Sequence, residues 1–158
     1  NLCEYLNFRR KQYILPLPAN PIRMHKNLDP NIRVLKIFPG ITPAVVKAIV
    51  SAPGIKGIIL ETFGNGNATT ASWFIDCLAD AIKRGIIILD ITQCDGGAVE
   101  LGRYETSEYL RQIGVISGHD MTFEAAITKM MFLFGQDIST QKIKQLLEIS
   151  LRGELTSV

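Results

Sequence analysis

The segment that most constrains this chain is Ile86-Ile87-Ile88-Leu89-Asp90-Ile91, which is apolar almost without alternation. A strand with one wet face alternates apolar and polar residues. A run without alternation is expected of a parallel strand covered on both faces. Parallel neighbours need crossover connections, so helices must lie between the strands. The rest of the chain supplies them. Val34 to Phe38 reads as a strand ending at Pro39-Gly40, and Gly57 to Thr62 as a second. Val115-Ile116-Ser117 reads as a brief last strand.

Between the strands the period becomes helical. Thr42 places a capping hydroxyl before Pro43, a residue suited to the first helical position. Val45, Ile49 and Ala52 follow at helical spacing, and Pro53-Gly54 stops the helix. The stripes Trp73/Cys77/Ala81 and Phe74/Leu78/Ile82 predict a helix from Thr69 or Thr70 to Arg84, closed by Gly85. Further helices are expected over Thr106–Gln112, Thr122–Phe134 and Thr140–Ser150, with Asp120 and Thr122 as candidate caps of the second. The fold class is therefore α/β: a small, about four-stranded parallel sheet with helices on both faces, Rossmann- or flavodoxin-like.

Residues 1–31 read as a connector and extended linker, and 32–158 as the α/β domain. Leu2 to Phe8 has strand character, Arg9-Arg10-Lys11 is a short basic surface, and Pro16, Pro18 and Pro21 keep the following stretch extended. The 158 residues carry a net charge of +2, too small and too evenly spread for a nucleic-acid footprint. No apolar run approaches the roughly 18 residues of a membrane span. Cys3, Cys77 and Cys94 form an odd, scattered set, which argues against a disulfide framework or zinc site and for a reducing, cytoplasmic setting.

Strand carboxyl ends of such a sheet share one edge, where ligands bind. Three polar loops converge there: Gly64 to Asn67, Thr92-Gln93-Cys94 and Gly118-His119-Asp120. Gly64-Asn65-Gly66-Asn67 starts like a dinucleotide fingerprint, but Thr69 stands where the third glycine belongs. Asp90 only loosely matches the ribose-binding acid. No cofactor and no metal are expected. Cys94 reads as a small buried apolar residue, with ligand contact as the alternative and Arg103 as the nearest cation in sequence. His119 and Asp120 adjoin too closely to face each other as an acid-base pair. No nucleophile with its base is visible, so the residues amount to half of an active site.

Four motifs occur in order: Glu61-Thr62-Phe63-Gly64-Asn65-Gly66-Asn67-Ala68, Leu89-Asp90-Ile91-Thr92-Gln93-Cys94, Gly114 to Ala126, and Leu151-Arg152-Gly153-Glu154-Leu155-Thr156. Together they resemble the carboxyl-terminal domain of type I, cytoplasmic L-asparaginases, over about residues 30 to 156. The resemblance implies a hydrolase in which an activated threonine attacks the asparagine amide, and water then resolves the acyl-enzyme to aspartate. That threonine belongs to an amino-terminal domain absent from this chain, so the chain alone is expected to be inactive. Partners implied are asparagine or aspartate, the N-terminal domain, and further copies in a homodimer or homotetramer.

Residue by residue, Asn67 matches an asparagine that reaches toward the partner subunit's active site. Cys94 matches a position in the bacterial allosteric asparagine pocket, and Glu61 stands where that pocket has an arginine. An arginine holds a carboxylate in a fork of hydrogen bonds; Glu61 repels it, so the effector site is expected to be absent or altered. Leu2 to Tyr13 looks compressed against the family's Gly-Asn-Arg segment. An asparaginase-like subunit of a tRNA-dependent amidotransferase, and a non-catalytic ligand-binding or dimerisation module, are the alternative readings.

Overall fold

The computed structural model describes residues 24–102 and 105–156, so the readings placed on residues 1–23 and on Arg103 lie outside the described residues. Within them, β1 (Ile32–Lys36), β2 (Gly57–Thr62), β3 (Ile87–Thr92) and β4 (Ile116–Ser117) form one sheet. All pairs are parallel, in the order β1-β2-β3-β4. Five helices accompany them: α1 (Pro43–Val50), α2 (Ser72–Lys83), α3 (Glu105–Ile113), α4 (Phe123–Phe134) and α5 (Thr140–Leu147). None of the described helices is long and apolar enough to cross a membrane.

The sequential order has a consequence for the two layers. Right-handed crossovers that always advance in one direction put every crossover helix on the same face. Leu35, Ile58, Leu60 and Ile88 accordingly pack with Val46 and Val50 of α1, Phe74 and Leu78 of α2, and Leu110 of α3. The opposite face must be covered by the chain beyond β4. There Ile59, Leu89, Ile91 and Ile116 meet Ala126, Met130 and Leu133 of α4 and Ile143 and Leu147 of α5. Both faces of β2 and β3 are thus dry, which is why β3 can be nearly all apolar. Because the order never reverses among the described strands, they form no internal switch-point crevice of the kind that binds ligands in open α/β sheets.

Several elements differ in detail from expectation. β1 begins two residues earlier than Val34, although the Ile37 amide still donates to the Glu61 carbonyl at 3.1 Å. Val46 and Val50, rather than Val45 and Ile49, form the fully buried stripe of α1, and Val45 is 41% exposed. Two adjacent valines leave that register open, and α1 closes at Ser51, before Ala52 can join the helix. Thr42 occupies the cap position, but its hydroxyl makes no capping bond. Thr122 does cap α4, accepting from the Ala125 amide at 3.3 Å. Asp120 does not: its carboxylate accepts from the Thr156 amide at 2.8 Å and from the Thr156 hydroxyl.

Residues 24–31 lie along α4. The Asp29 amide donates to the Met131 carbonyl at 3.0 Å, and the His25 and Phe132 rings meet edge to face at 5.3 Å. Gly135 ends α4 against this segment so closely that a Cβ there would sit 2.2 Å from the Asn27 carbonyl oxygen. Contact with rigid backbone cannot be relieved by a rotamer change. Gly135→Ala is therefore expected to cost about 1–3 kcal/mol, the range of overpacking penalties, measured as a lower urea midpoint.

Candidate functional site

The carboxyl edge of the sheet is stitched together by side chains and by one crossing segment. Gly64 and Gly66 adopt φ of 51° and 104°, values open chiefly to glycine, and let the chain after β2 double back on itself. Phe63 and Asn67 exchange both backbone hydrogen bonds, at 2.9 and 2.8 Å. The Asn67 side chain is half-buried, and its Oδ1 accepts from the Thr106 hydroxyl of α3 at 2.8 Å. The amide of Asn67 is thus held from the helix side rather than left to rotate.

Gln93 closes the other loops. Its Nε2 donates to the carbonyls of Ile37, at 2.7 Å, and Glu61, at 2.8 Å, tying the ends of β1 and β2 to the turn after β3. Next, the segment 98–101 crosses the edge. The Glu100 amide donates to the Asn65 carbonyl at 3.1 Å, and the Val99 amide to the His119 carbonyl at 2.9 Å. Ser117 Oγ donates to the Val99 carbonyl at 2.8 Å and accepts the His119 amide at 3.1 Å. The loops after β2, β3 and β4 are therefore one connected surface, as their convergence predicts.

The candidate residues differ in setting. Glu61, on the α4 side of β2, is buried and forms an ion pair with Lys36, its register neighbour, at 3.1 Å. Cys94 is exposed on the turn after β3, not buried as expected of a small apolar residue. β3 ends at Thr92, whose hydroxyl takes the Cys94 amide at 3.0 Å and starts the turn before Cys94 can enter the core. A cavity of about 800 Å3 opens beside β4 and is lined by Val99, Leu101, Val115, Ser117, His119 and Thr156 among others. None of Glu61, Asn67 and Cys94 lines it. Among the described residues no group of His, Cys, Asp and Glu could hold a metal ion.

His119 has φ of +52°, a left-handed conformation unusual for a residue with a Cβ. His and Asn tolerate it better than a β-branched side chain. His119→Asn is expected to stay within about 0.5 kcal/mol of the parent, whereas His119→Val should cost about 1–2 kcal/mol. Chemical unfolding of the two variants checks this ordering.

Beneath the Gly64–Asn67 loop lies Asp90, which is fully buried. Thr62 Oγ1 donates to Asp90 Oδ1 at 2.8 Å, while Oδ2 has no hydrogen-bond partner among the described residues. Burial pushes this carboxyl well above the usual carboxylate range, and the Thr62 hydrogen bond opposes that only in part. Spacing gave no pointer to Gln93 as a clamp. For Asp90 the pointer was present: an acid inside an otherwise apolar, doubly covered strand is rarely buried without a reason.

Comparison with known proteins bears directly on what this edge belongs to. Residues 31–147 match the model of the Glutaminase/Asparaginase C-terminal domain family. The chain belongs to this family. L-asparaginase 1 of Escherichia coli strain K12 is 42% identical over 125 residues, which cover 79% of this chain and 37% of that protein. The human 60 kDa lysophospholipase is 39% identical over 134 residues, covering 84% of this chain and 23% of that one. Among solved structures, L-asparaginase I from Vibrio cholerae superposes with a TM-score of 0.82 at 36% identity. That match covers 89% of this chain and 42% of the solved one. The chain thus spans well under half the length of these relatives, and the Glutaminase/Asparaginase C-terminal fold is the part they share.

Proposed function

We propose that this chain is the C-terminal domain of an L-asparagine amidohydrolase that converts asparagine and water to aspartate and ammonia. The observation that carries the reading is the match to the asparaginase C-terminal family at 42% identity to an L-asparaginase. It agrees with a carboxyl edge that presents a polar Gly-Asn loop held by Thr106 and Glu100. The nucleophilic threonine belongs to an N-terminal domain, with residues 1–31 as its connector. The protein works without a cofactor, in the cytoplasm, as a homodimer or homotetramer.

Within this reading Asn67 orients the bound amino acid, or a catalytic neighbour, in the partner subunit's site. Its hydrogen bond from Thr106 fixes the direction of the amide, and orientation of this kind lowers the barrier without any covalent role. In the full-length protein, Asn67→Ala is expected to lower kcat/KM by about 10- to 100-fold, equivalent to roughly 1.4–2.7 kcal/mol, with little loss of stability. The chain of 158 residues alone is expected to release no ammonia from asparagine. Turnover by the isolated chain that Asn67→Ala abolishes would contradict the division of labour.

Glu61 and Cys94 are the candidates for an effector pocket at the subunit interface. Cys94 is exposed, whereas the Glu61 carboxylate is engaged by Lys36 and offers an effector carboxylate no donor fork. The expected outcome of an asparagine titration is no second, Cys94-dependent binding phase.

A further inference from the structure

We propose that Asp90 is a positioning residue for the Gly64–Asn67 loop: the loop closes over its buried carboxyl group, and a negative charge gained there releases the loop together with the Asn67 side chain. The proposal rests on the reading of Asn67 as the loop's functional residue, but its geometry is independent of that reading.

Three observations support it. First, the carboxyl group is fully buried and half satisfied, with Thr62 on Oδ1 and no described partner on Oδ2. Second, the unsatisfied oxygen is directed at the loop. A Cβ placed on Gly66 would lie 3.5 Å from Oδ2, with Val99 at 3.2 Å and Leu101 at 3.6 Å closing the same space. Third, the loop is held there by bonds that a displaced Gly66 would break: the Gly66 and Asn67 amides donate to the Phe63 carbonyl, and the Glu100 amide donates to the Asn65 carbonyl. A neutral acid leaves one polar atom unpaired, at a cost of about 1–3 kcal/mol. A carboxylate in the same dry space needs further donors, and the loop must lift to admit water or offer its own amides.

No charged side chain competes for this role among the described residues. Asp90 shares its face of the sheet with Thr62 and with Phe74, Leu78 and Leu110 of the covering helices. Just after β4, Gly118 meets it through backbone, its amide donating to the Asp90 carbonyl at 2.7 Å. Of the nearby titratable groups, Glu61 projects to the other face and pairs with Lys36. Glu100, between Val99 and Leu101, has an interaction of its own, Cys94 is exposed, and His119 follows Gly118 on the rim of the cavity. On α2, Asp76 and Asp80 are exposed, and on α3 Glu108 is bound by Arg111.

The test is a pH titration of the labelled chain by NMR, following the Asp90 carboxyl carbon together with the backbone amides of Gly66 and Asn67 and the Asn67 side-chain amide. The expected result is a single midpoint shared by all four, well above the ordinary carboxylate value of about 4. Amides of α4, on the opposite face, should not move with it. In Asp90→Asn the loop transition should disappear, with the Asn67 signals staying at their low-pH positions. An Asp90 midpoint near 4, a loop that ignores Asp90, or a transition that involves α4 equally would each overturn the proposal. An Asn67→Ala enzyme with normal activity would instead remove the catalytic reading and leave this coupling intact.

Discussion

Replacing Lys129 with methionine is expected to destabilise the domain by about 3–5 kcal/mol, the usual cost of removing one member of a buried ion pair. Lys129 projects from the apolar helix α4, and its side chain is only 3% exposed. Its Nζ lies 2.7 Å from Glu154 Oε1 and donates to the carbonyls of Leu147, at 3.1 Å, and Ile149, at 2.6 Å. Glu154 in turn accepts the Leu151 amide at 2.9 Å and the Arg152 amide at 2.6 Å. One ammonium thus anchors the whole segment after α5, and Leu155, 8% exposed, is packed into the core beside it. Methionine fills the stem volume but leaves the half-buried Glu154 without its cation. Urea unfolding followed by the fluorescence of Trp73, the single tryptophan, measures the loss. The double variant Lys129→Met/Glu154→Gln should recover part of it, because no charge is then stranded.

The same pair sets an acid limit. Burial alone would raise the Glu154 carboxyl, but the hydrogen bonds from Lys129 and from the Leu151 and Arg152 amides outweigh it and hold the group at about 2. Its folded value is below its unfolded one, so the contribution is complete above the unfolded range of roughly 4–4.5 and is lost as pH falls toward about 2. Asp120 acts in the same direction: burial raises it, yet its bonds from Thr156 leave it lowered overall.

The layered α/β architecture was legible because it depends on features each strand and helix states locally. Non-alternation in β3, the Phe74/Leu78 stripe and the stop at Gly85 are all readable within a dozen residues. The features that were not legible depend on partners distant in sequence. Cys94 is exposed because Thr92 begins the turn. Asp120 is drawn away from α4, and the cap falls to Thr122 alone, because Thr156, 36 positions away, offers it two donors. Gln93 clamps β1 to β2 only once the register of the sheet is fixed. Lys129 is a charge in an otherwise apolar helix, and its partner Glu154 follows only after the turn that closes the segment beyond α5. The Asn67 loop was found by its glycines, whereas the hydroxyl that orients Asn67 comes from a helix 39 positions on.

Asp90→Asn should behave in the opposite sense to the Lys129 variant. In the parent, the folded-state carboxyl is raised well above its ordinary value by burial, with Thr62 opposing. As pH rises above about 4, the unfolded chain releases this proton while the folded chain keeps it. The unfolded state then binds fewer protons, so stability falls with pH by about 1.4 kcal/mol per unit until Asp90 ionises in the folded state too. Asparagine has no such titration, is close in shape, and can still accept from Thr62. The variant should match the parent, or fall about 1–3 kcal/mol below it through its unpaired amide, near pH 4. Its advantage should then grow with each unit toward neutral pH. Unfolding curves of both proteins at pH 4, 5.5, 7 and 8.5 give the comparison directly. Parallel pH dependences would show that Asp90 is ionised in the folded domain, and that the space under Gly66 already provides for its charge.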